Sequence, residues 1–454
     1  MKIRRFFSFF LLFALLTVFY PAPAAALEDF APRAEAAYLI NMDSGDVLYD
    51  YNGNQKVYPA SITKVMTALL VLEAMQQGSL TQDQILTCSE SALQGLSAAG
   101  STQNIKAGEQ MSIKELLYCL LVPSANEASN ILAEAVSGSV SSFVELMNQR
   151  AEELGCSGTH FSNAHGLHSE SHYTTAHDIA IFSTEAMKYE LFRTIVSTAE
   201  YYTQPTNLSA ARHFYNTNGL LSNFKYYGYV YKYAIGIKTG TTEEAGHCLV
   251  SAAEKKGTTL LAVIMGTENV TDSSGKITDR PVFSESSRLL EYGFNNFSRQ
   301  DILSSTELVT QVSVLLSAEN DHVLLHPASG YSAILPNDLD LSQVEREIQL
   351  NSDPVMAPIS AGDELGQLTL RYQGTELGVI PLLAASDISV SRWQLFWYNF
   401  RAFFRKPLVK VLLILILCAI VALVIWRLTP ARRRRRYGGR STPYHSSYKG
   451  RRRH

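Results

Sequence analysis

The sequence is poor in cysteine, with only five among its 454 residues. Their spacing matches no metal-binding motif, and a chain of this length needs no disulfide scaffold to hold a core together. Cys418 lies inside a long apolar run, which leaves four thiols for the rest of the chain: Cys88, Cys119, Cys156 and Cys248. We predict that these four are buried free thiols, and the pattern leaves open one disulfide bond among them.

The sequence also lacks internal repeats and a glycine-rich phosphate-binding loop, which disfavours a repeat protein and a nucleotide-binding site. A metal site is disfavoured as well, although one segment is rich in histidine. That segment lacks the His-x-x-x-His helical pair with an adjacent glutamate that zinc enzymes use. We therefore expect no metal, no cofactor and ordered loop histidines, namely His160, His165, His168, His172 and His177.

Long apolar runs occur only near the two ends of the chain. Residues 1–26 combine a basic start, an apolar run and three consecutive alanines, which predicts a secretory signal peptide; an uncleaved anchor is the alternative. Residues 408–427 are apolar enough and long enough to span a bilayer. Residues 391–407 carry many aromatic side chains, which predicts an amphipathic segment at the membrane interface.

The last segment, residues 428–454, is rich in arginine and contains no acidic residue. The positive-inside rule places this tail in the cytoplasm and the chain between residues 27 and 407 outside. An arginine run also fits nucleic-acid binding, but an adjacent membrane span favours stop-transfer and contact with anionic lipids. The sequence therefore predicts a single-pass membrane protein with an extracytoplasmic body and no nucleic-acid partner.

Between these ends the hydrophobic patterning predicts two folded domains. In residues 27–300, strand-like segments flank a helical block, which indicates an α+β fold whose terminal strands share one sheet. In residues 301–390, short alternating runs are separated by Gly, Asn, Asp and Pro turns, which predicts a small all-β domain.

The first domain begins its helical block with Ser61-Ile-Thr-Lys64. The apolar run that follows predicts a buried helix ending at Gly78, so the serine and the lysine share a face one turn apart. Three further Ser-x-x-Lys copies, at 222–225, 273–276 and 446–449, lie in a Tyr/Gly-rich stretch, a polar loop and the basic tail. We therefore predict Ser61 as a nucleophile with Lys64 as its general base, a pair that opens amides without histidine.

Two further motifs, Ser124-Ala-Asn126 and Lys238-Thr239-Gly240, each occur once in the chain. A lysine acts as a base only when its pKa falls towards neutrality, which burial and a second cation such as Lys238 promote. Ser124 can relay a proton to the leaving amine, and Asn126 can hold Lys64 and the substrate backbone. Taken alone, Ser124 and Asn126 could instead cap a helix, and Lys238 could be a solvated charge.

The third motif also predicts how substrate would be held. Gly240 allows close approach to a strand edge, and Lys238 can attract a substrate carboxylate. The backbone N–H groups of Ser61 and Thr241 can form an oxyanion hole.

The three motifs together resemble those of the low-molecular-mass penicillin-binding proteins, and more narrowly the serine-type D-alanyl-D-alanine carboxypeptidases. Asn163-Ala-His-Gly-Leu167 resembles that family's Asn-Pro-His-Gly-Leu loop, with alanine in place of proline. The predicted order of signal peptide, catalytic domain, β-domain and anchor is also similar, so the resemblance covers nearly the whole chain. It implies a transpeptidase-like catalytic domain in which an antiparallel sheet packs with a helical subdomain.

The resemblance implies that the enzyme removes the terminal D-alanine from peptidoglycan stem peptides during cell-wall biogenesis, and that β-lactams acylate Ser61. It also implies substrate binding by Lys238, Thr239, Gly240 and Thr241, the last standing where some members carry histidine. An arginine past the third motif should hold the terminal carboxylate; Arg280 is the best positional match, although the loop at 269–278 shifts the alignment.

Three alternatives stay open beside this reading. A class A β-lactamase shares the motif order, but it needs a Glu-x-x-Leu-Asn string for deacylation, and none lies between Asn126 and Lys238. A peptidoglycan endopeptidase is chemically close. A non-catalytic wall scaffold would leave the catalytic groups without a purpose, although the β-domain is a candidate surface for wall-synthesis proteins.

Overall fold

The computed structural model describes residues 30–97 and 100–428. The predicted signal peptide and the predicted tail beyond residue 428 therefore lie outside the described residues. The chain forms two compact units. The first comprises residues up to 303 with 330–345 and 372–377, and the second comprises 304–329, 346–371 and the chain from 378 onwards.

The strands of the described chain follow one another in this order: β1 Ala36–Asn41, β2 Val47–Tyr51, β3 Ile85–Thr87, β4 Gln110–Ser112, β5 Glu200–Tyr202, β6 His213–Tyr215, β7 Ala234–Thr242, β8 Gly246–Lys255, β9 Thr258–Thr267, β10 Val270–Thr271, β11 Ile277–Asp279, β12 Phe297–Leu303, β13 Thr310–Leu315, β14 His322–Pro327, β15 Tyr331–Pro336, β16 Glu345–Leu350, β17 Val355–Met356, β18 Glu364–Tyr372 and β19 Thr375–Ala384.

The α-helices of the described chain are α1 Thr63–Gln76, α2 Ile113–Leu121, α3 Asn126–Ser137, α4 Val140–Glu153, α5 Ala176–Met187, α6 Glu190–Ser197, α7 Pro281–Asn296, α8 Arg392–Arg405 and α9 Pro407–Leu428.

The first unit is built on a five-stranded antiparallel sheet in the order β2-β1-β9-β8-β7. Strands from the start of the domain therefore pair with strands that follow the helical block, as the sequence predicts for an α+β fold. The β8–β9 hairpin turns at Lys256 and Gly257, both with positive φ. Strand β7 is at one edge, so the outer side of its backbone is available to an extended ligand.

Helix α1 lies at the centre of the helical block. Every residue from Thr63 to Leu72 is buried, because the helix is apolar on nearly all of its faces and contacts α3 and α5. It ends at Gln76, and Gly78 has a φ of +80°, which confirms the predicted end of the helix. A central buried helix provides a rigid base for side chains at its first turn.

The second unit contains most of a six-stranded sheet in the order β16-β18-β19-β14-β13-β17. Its strands alternate buried and exposed residues, as in β13, where Val312 and Val314 are buried. This confirms the predicted all-β fold. Helix α8 is amphipathic with exposed aromatic rings, and α9 is the one helix among the described residues that is long and apolar enough to cross a membrane.

Candidate active site

The predicted nucleophile lies on a tight turn immediately before α1. Residues Ala60–Ile62 form a single 3₁₀ turn, and Ala60 has a φ of +44°. The turn leaves Ser61 partly exposed, while Lys64, one turn further on, is fully buried. The Lys64 Nζ atom lies 2.9 Å from Ser61 Oγ, as the spacing of the motif predicts.

Three oxygen atoms surround the Lys64 amine. Besides Ser61 Oγ, it contacts Asn126 Oδ1 at 2.8 Å and the His165 carbonyl oxygen at 2.6 Å. Burial, and then the nearby charge of Lys238, hold the pKa of Lys64 well below its usual value, while Glu127 opposes them. A neutral amine has two N–H donors for the two carbonyl oxygens and a lone pair for the serine proton. The geometry therefore suits a general base.

The Ser124-Ala-Asn126 motif does not cap a helix. The N-cap of α3 is Ala125, and no side chain caps that helix. Ser124 has a φ of +73°, and its buried hydroxyl has no hydrogen-bond partner among the described residues. A strained backbone and an unpaired buried hydroxyl are costly, and such features cluster at functional sites.

Strand β7 carries the third motif along the other side of the nucleophile. Lys238 is buried, its Nζ donates to the Thr239 carbonyl at 2.9 Å, and burial followed by the charge of Lys225 lowers its pKa to about 7. A Cβ atom on Gly240 would lie 2.8 Å from the Pro59 carbonyl oxygen and 3.1 Å from Ser61 N. Glycine is therefore required for β7 to approach the turn that carries the nucleophile.

These elements border one cleft of about 260 Å³. Of the predicted site residues, Ser61, Ser124, Thr239, Gly240, Thr241 and Arg280 line it. Lys64, Asn126 and Lys238 are buried behind the lining: Lys64 hydrogen-bonds Ser61 and Asn126, and Lys238 hydrogen-bonds the Thr239 carbonyl. A cavity twice as large, about 540 Å³, lies between α1 and α4, but it is lined by none of the three motifs. The chemistry of the lining, rather than volume, identifies the site.

Arg280 reaches the cleft from the start of α7. Its backbone N–H donates to Tyr229 Oη and to Asp279 Oδ1, both at 2.8 Å. Asp279 is in turn bound by Arg33 at 2.7 Å. The guanidinium lies 4.8 Å from the centre of the Tyr226 ring, a distance that allows a cation–π contact. The structure therefore brings the predicted arginine to the same cleft as Ser61.

Sequence reasoning missed several residues of the site. Lys225, from a Ser-x-x-Lys copy that was set aside, lines the cleft at an exposed position. Thr217 accepts a 2.6 Å hydrogen bond from Thr239. His247 and Asn269 also line the cleft. No sequence signal marked these four residues, because contacts between distant segments bring them there.

The Asn163–Leu167 loop contributes backbone rather than side-chain chemistry. Asn163 Oδ1 accepts from the N–H groups of His165 and Gly166, which orients the loop so that the His165 carbonyl meets Lys64. Gly166 has a φ of +91°, and a Cβ atom there would collide with the Ala60 carbonyl oxygen. The loop therefore packs directly against the Ala60–Ile62 turn that carries Ser61.

The histidines make local contacts and do not converge on one point. His172 is buried between Thr63 Oγ1 at 2.7 Å and the Ser162 N–H at 2.9 Å. His160 contacts the Ser171 carbonyl, and His177 contacts Asp178. Burial lowers the pKa of both His165 and His172 to about 3, so their rings are neutral at ordinary pH. Within residues 30–97 and 100–428, no group of three metal-ligating side chains is close enough to hold an ion.

The four cysteines of the first unit are buried and free, as predicted. Cys248 lines the cleft and would be the rival nucleophile. Burial raises its pKa to about 12, so the thiol stays protonated. Ser61 therefore remains the predicted nucleophile.

Comparison with known proteins agrees with this geometry. A family model described as D-alanyl-D-alanine carboxypeptidase matches residues 23–269, and one described as penicillin-binding protein 5, C-terminal domain, matches residues 297–390. The D-alanyl-D-alanine carboxypeptidase DacF of Bacillus subtilis is 33% identical over 390 residues, 85% of this chain and 95% of the relative. DacC of Escherichia coli is 29% identical over 83% of this chain and 90% of the relative.

Two crystal structures have the same fold. Penicillin-binding protein 5 from Haemophilus influenzae matches with a TM-score of 0.59 and 27% identity, over 79% of this chain and 98% of that one. DacD from Francisella tularensis matches with a TM-score of 0.64 and 24% identity, over 82% and 98%. The predicted transpeptidase-like fold is thereby confirmed.

Proposed function

Because the chain belongs to the D-alanyl-D-alanine carboxypeptidases, a penicillin-binding family that acts on peptidoglycan peptides, we propose that Ser61 opens the terminal D-Ala-D-Ala amide through an acyl-serine intermediate. The observation that carries this assignment is the buried Lys64 amine, 2.9 Å from Ser61 Oγ and bonded to Asn126 and the His165 carbonyl.

The first half-reaction forms the acyl-enzyme. As Ser61 Oγ attacks the carbonyl carbon of the penultimate D-alanine, its proton passes to Lys64 Nζ. The developing oxyanion accepts hydrogen bonds from the backbone N–H groups of Ser61 and Thr241. Ser124, whose hydroxyl is free of other partners among the described residues, relays the proton from Lys64 to the leaving amine. The C–N bond breaks and D-alanine departs.

The second half-reaction hydrolyses the ester. The lining of the cleft, as far as the structure describes it, contains no carboxylate that could activate a water molecule, so Lys64 accepts the water proton as well. Attack by this water breaks the bond to Ser61 Oγ, which takes the proton back from Lys64, and the shortened peptide is released. A β-lactam amide enters the first half-reaction in the same way and leaves Ser61 acylated.

The terminal carboxylate of the substrate lies towards the cationic end of the cleft. Arg280 lines that end and provides positive charge, the buried Lys238 adds its charge when protonated, and the Thr241 hydroxyl provides a donor. The exposed edge of β7 pairs with the peptide backbone, and Asn126 holds the peptide from the opposite side.

Two activities test the proposal together. The purified full chain should bind a fluorescent penicillin covalently and release D-alanine from a pentapeptide ending in D-Ala-D-Ala. Ser61→Ala should lose both, by at least about 10⁴-fold in rate. The matched control is Ser273→Ala, which removes the serine of another Ser-x-x-Lys copy in an exposed turn. Retention of both activities by Ser61→Ala would show that another group is the nucleophile.

The same assay distinguishes the neighbouring activity. A cross-linked peptide dimer offered beside the pentapeptide tests for endopeptidase action on the same cleft. We expect the pentapeptide to be hydrolysed faster, because the cationic end of the cleft suits a free carboxylate. Faster cleavage of the dimer would instead assign an endopeptidase.

For the membrane arrangement, α9 is the anchor, with the first unit outside the cytoplasm and the tail beyond residue 428 inside. The support is the apolar length of α9, the aromatic rings of α8 and the arginine-rich tail. Protease added to intact spheroplasts should digest the penicillin-labelled fragment and leave a C-terminal tag protected. Digestion of the tag would instead indicate the opposite orientation.

A further inference from the structure

Four side chains form a continuous hydrogen-bonded chain along one wall of the cleft. Thr241 Oγ1 lies 3.1 Å from His247 Nδ1, and His247 Nε2 lies 2.9 Å from Asn269 Nδ2. Arg280 Nη1 donates to Asn269 Oδ1 at 3.4 Å. All four residues line the cleft that contains Ser61. The chain therefore joins Thr241, beside the nucleophile, to the arginine at the start of α7.

The fold brings these residues together from two strands, the loop after β9 and the start of a helix. Thr241 on β7 and His247 on β8 are direct partners in the antiparallel register. Asn269 follows the end of β9, which pairs with β8, and Arg280 is the N-cap residue of α7. The His247 ring is thus held between the nucleophile side and the cationic side of the cleft.

The direction of each hydrogen bond follows from the chemistry of the groups. Arginine can only donate, so Asn269 Oδ1 is the acceptor and its Nδ2 is turned towards His247. An amide nitrogen can only donate, so His247 Nε2 carries no proton and Nδ1–H donates to Thr241 Oγ1. Burial and the positive charge of Arg280 both lower the pKa of His247, which favours this neutral tautomer. The Thr241 hydroxyl proton is then left free to point into the cleft.

We propose that His247 and Asn269 are positioning residues that couple Thr241 to Arg280, so that the Thr241 hydroxyl and the guanidinium form one preset receptor for the terminal carboxylate of the peptide. This inference rests on the proposed function of the cleft. It assigns a task to two side chains that touch neither Ser61 nor Lys64 in the described hydrogen bonds.

A preset receptor has a particular kinetic consequence. Without the imidazole, the Thr241 hydroxyl rotates freely and the Asn269 amide loses its partner, so substrate must order both groups on binding. The reactivity of Ser61 does not depend on this chain. Loss of the imidazole should therefore raise KM for peptides with a free carboxylate and change kcat little.

The experiment compares two peptides that differ only at the carboxyl end. One ends in D-Ala-D-Ala with a free carboxylate, and the other ends in the corresponding carboxamide. Wild-type enzyme should prefer the free acid. In His247→Ala we expect kcat/KM for the free acid to fall about tenfold, chiefly through KM, a loss typical of one charge-linked hydrogen bond. The carboxamide should be affected little, so the preference between the two peptides should shrink.

Three further variants test the interpretation of the His247→Ala result. His247→Phe keeps an aromatic ring but removes both nitrogen atoms, so it should behave like His247→Ala with the fold retained. His247→Gln can accept from Asn269 and donate to Thr241, so it should restore part of the preference. The matched control is His213→Ala, at an exposed histidine of the same unit that contacts Glu200 outside the cleft, and it should leave the preference unchanged.

Two results would overturn the inference. If His247→Phe, with an unchanged melting temperature, kept the wild-type preference for the carboxylate, the chain would have no part in carboxylate binding. If it slowed both peptides by one common factor, His247 would be a packing residue only. Failure of the proposed function would look different, since wild-type enzyme itself would then release no D-alanine.

Discussion

The two units of the protein bury different kinds of side chain. The core of the first unit contains two lysines, Lys64 and Lys238, together with buried carboxylates, amides and histidines. In the part of the second unit that the structure describes, Ser317 is the only buried polar side chain. Burying a polar group costs free energy that a hydrogen bond offsets, and in the first unit some buried groups, Ser124 among them, have no partner among the described residues.

That difference shows where selection for function outweighs selection for stability. The Lys64 amine contacts three oxygen atoms, and burial lowers its pKa, as its proposed role of general base requires. The second unit follows the simple alternation of a β-sheet with an apolar interior. Substitutions should therefore have separable consequences in the two units.

The largest effect should come from Lys64→Arg. A guanidinium stays protonated at any usable pH, so it cannot accept the Ser61 proton. We expect acylation by a fluorescent penicillin to slow by about 10⁴-fold. Lys188→Arg, at an exposed lysine of the same unit, is the matched control and should label normally. Rapid labelling of Lys64→Arg would remove Lys64 from the role of base.

The next prediction concerns stability. It compares the loss of one ion pair from each unit. Arg212 holds Glu109, whose side chain is fully buried, at 2.7 Å, whereas Arg346 and Glu307 in the second unit are both more than a third exposed. Arg212→Met leaves a buried carboxylate unpaired and should cost about 3–5 kcal/mol in the free energy of unfolding. Arg346→Met should cost no more than about 1 kcal/mol. Equal losses in urea denaturation would contradict the contrast between the units.

A third prediction concerns the apolar core of the second unit. Leu382 on β19 is fully buried, so Leu382→Ala should destabilise that unit by about 2–5 kcal/mol. Leu324→Ala, at an exposed leucine on β14, should cost far less. Both variants should acylate Ser61 at the wild-type rate at 25 °C. A slower rate in Leu382→Ala would tie the second unit to the chemistry.

The smallest effect should be the acid sensitivity of the first unit. The pKa of His172 is about 3 in the folded chain and about 6.5 when exposed, so the unfolded state alone takes up this proton as pH falls through 6.5. The loss of stability is zero above that pH and should reach about 2 kcal/mol at pH 5. His172→Gln should flatten the dependence of melting temperature on pH. If the melting temperature of His172→Gln fell with pH as steeply as that of the wild type, this assignment would be wrong.

Local patterns predicted much of the fold and the centre of the site. The helix after Ser61, its end near Gly78 and the β8–β9 hairpin all follow from short-range periodicity and turn residues. Ser61 and Lys64 come together because they are one helical turn apart, and this spacing can be read directly from the sequence.

The rest of the site depends on long-range register. The His165 carbonyl carries no residue-type signal, since any residue has one. Lys225 lies in a Ser-x-x-Lys copy that chance explains equally well, and His247 meets Thr241 only through the pairing of β7 with β8. Arg280 was found through position in the chain, and its contacts with Tyr226 and Asn269 required the folded structure.

In the proposed mechanism Lys64 works as a neutral base because burial and the nearby charge of Lys238 lower its pKa. The most direct test is the rate of Ser61 acylation by a β-lactam in a single turnover, measured against pH by mass spectrometry of the intact protein. We expect the acylation rate to fall on the acid side only at a pH far below the usual lysine pKa of about 10.4, where Lys64 becomes protonated. In Lys238→Met the midpoint of this fall should move to higher pH, because the second cation is lost. A wild-type midpoint near the ordinary lysine pKa, or a midpoint that Lys238→Met leaves unchanged, would contradict the role of Lys64 as a neutral base.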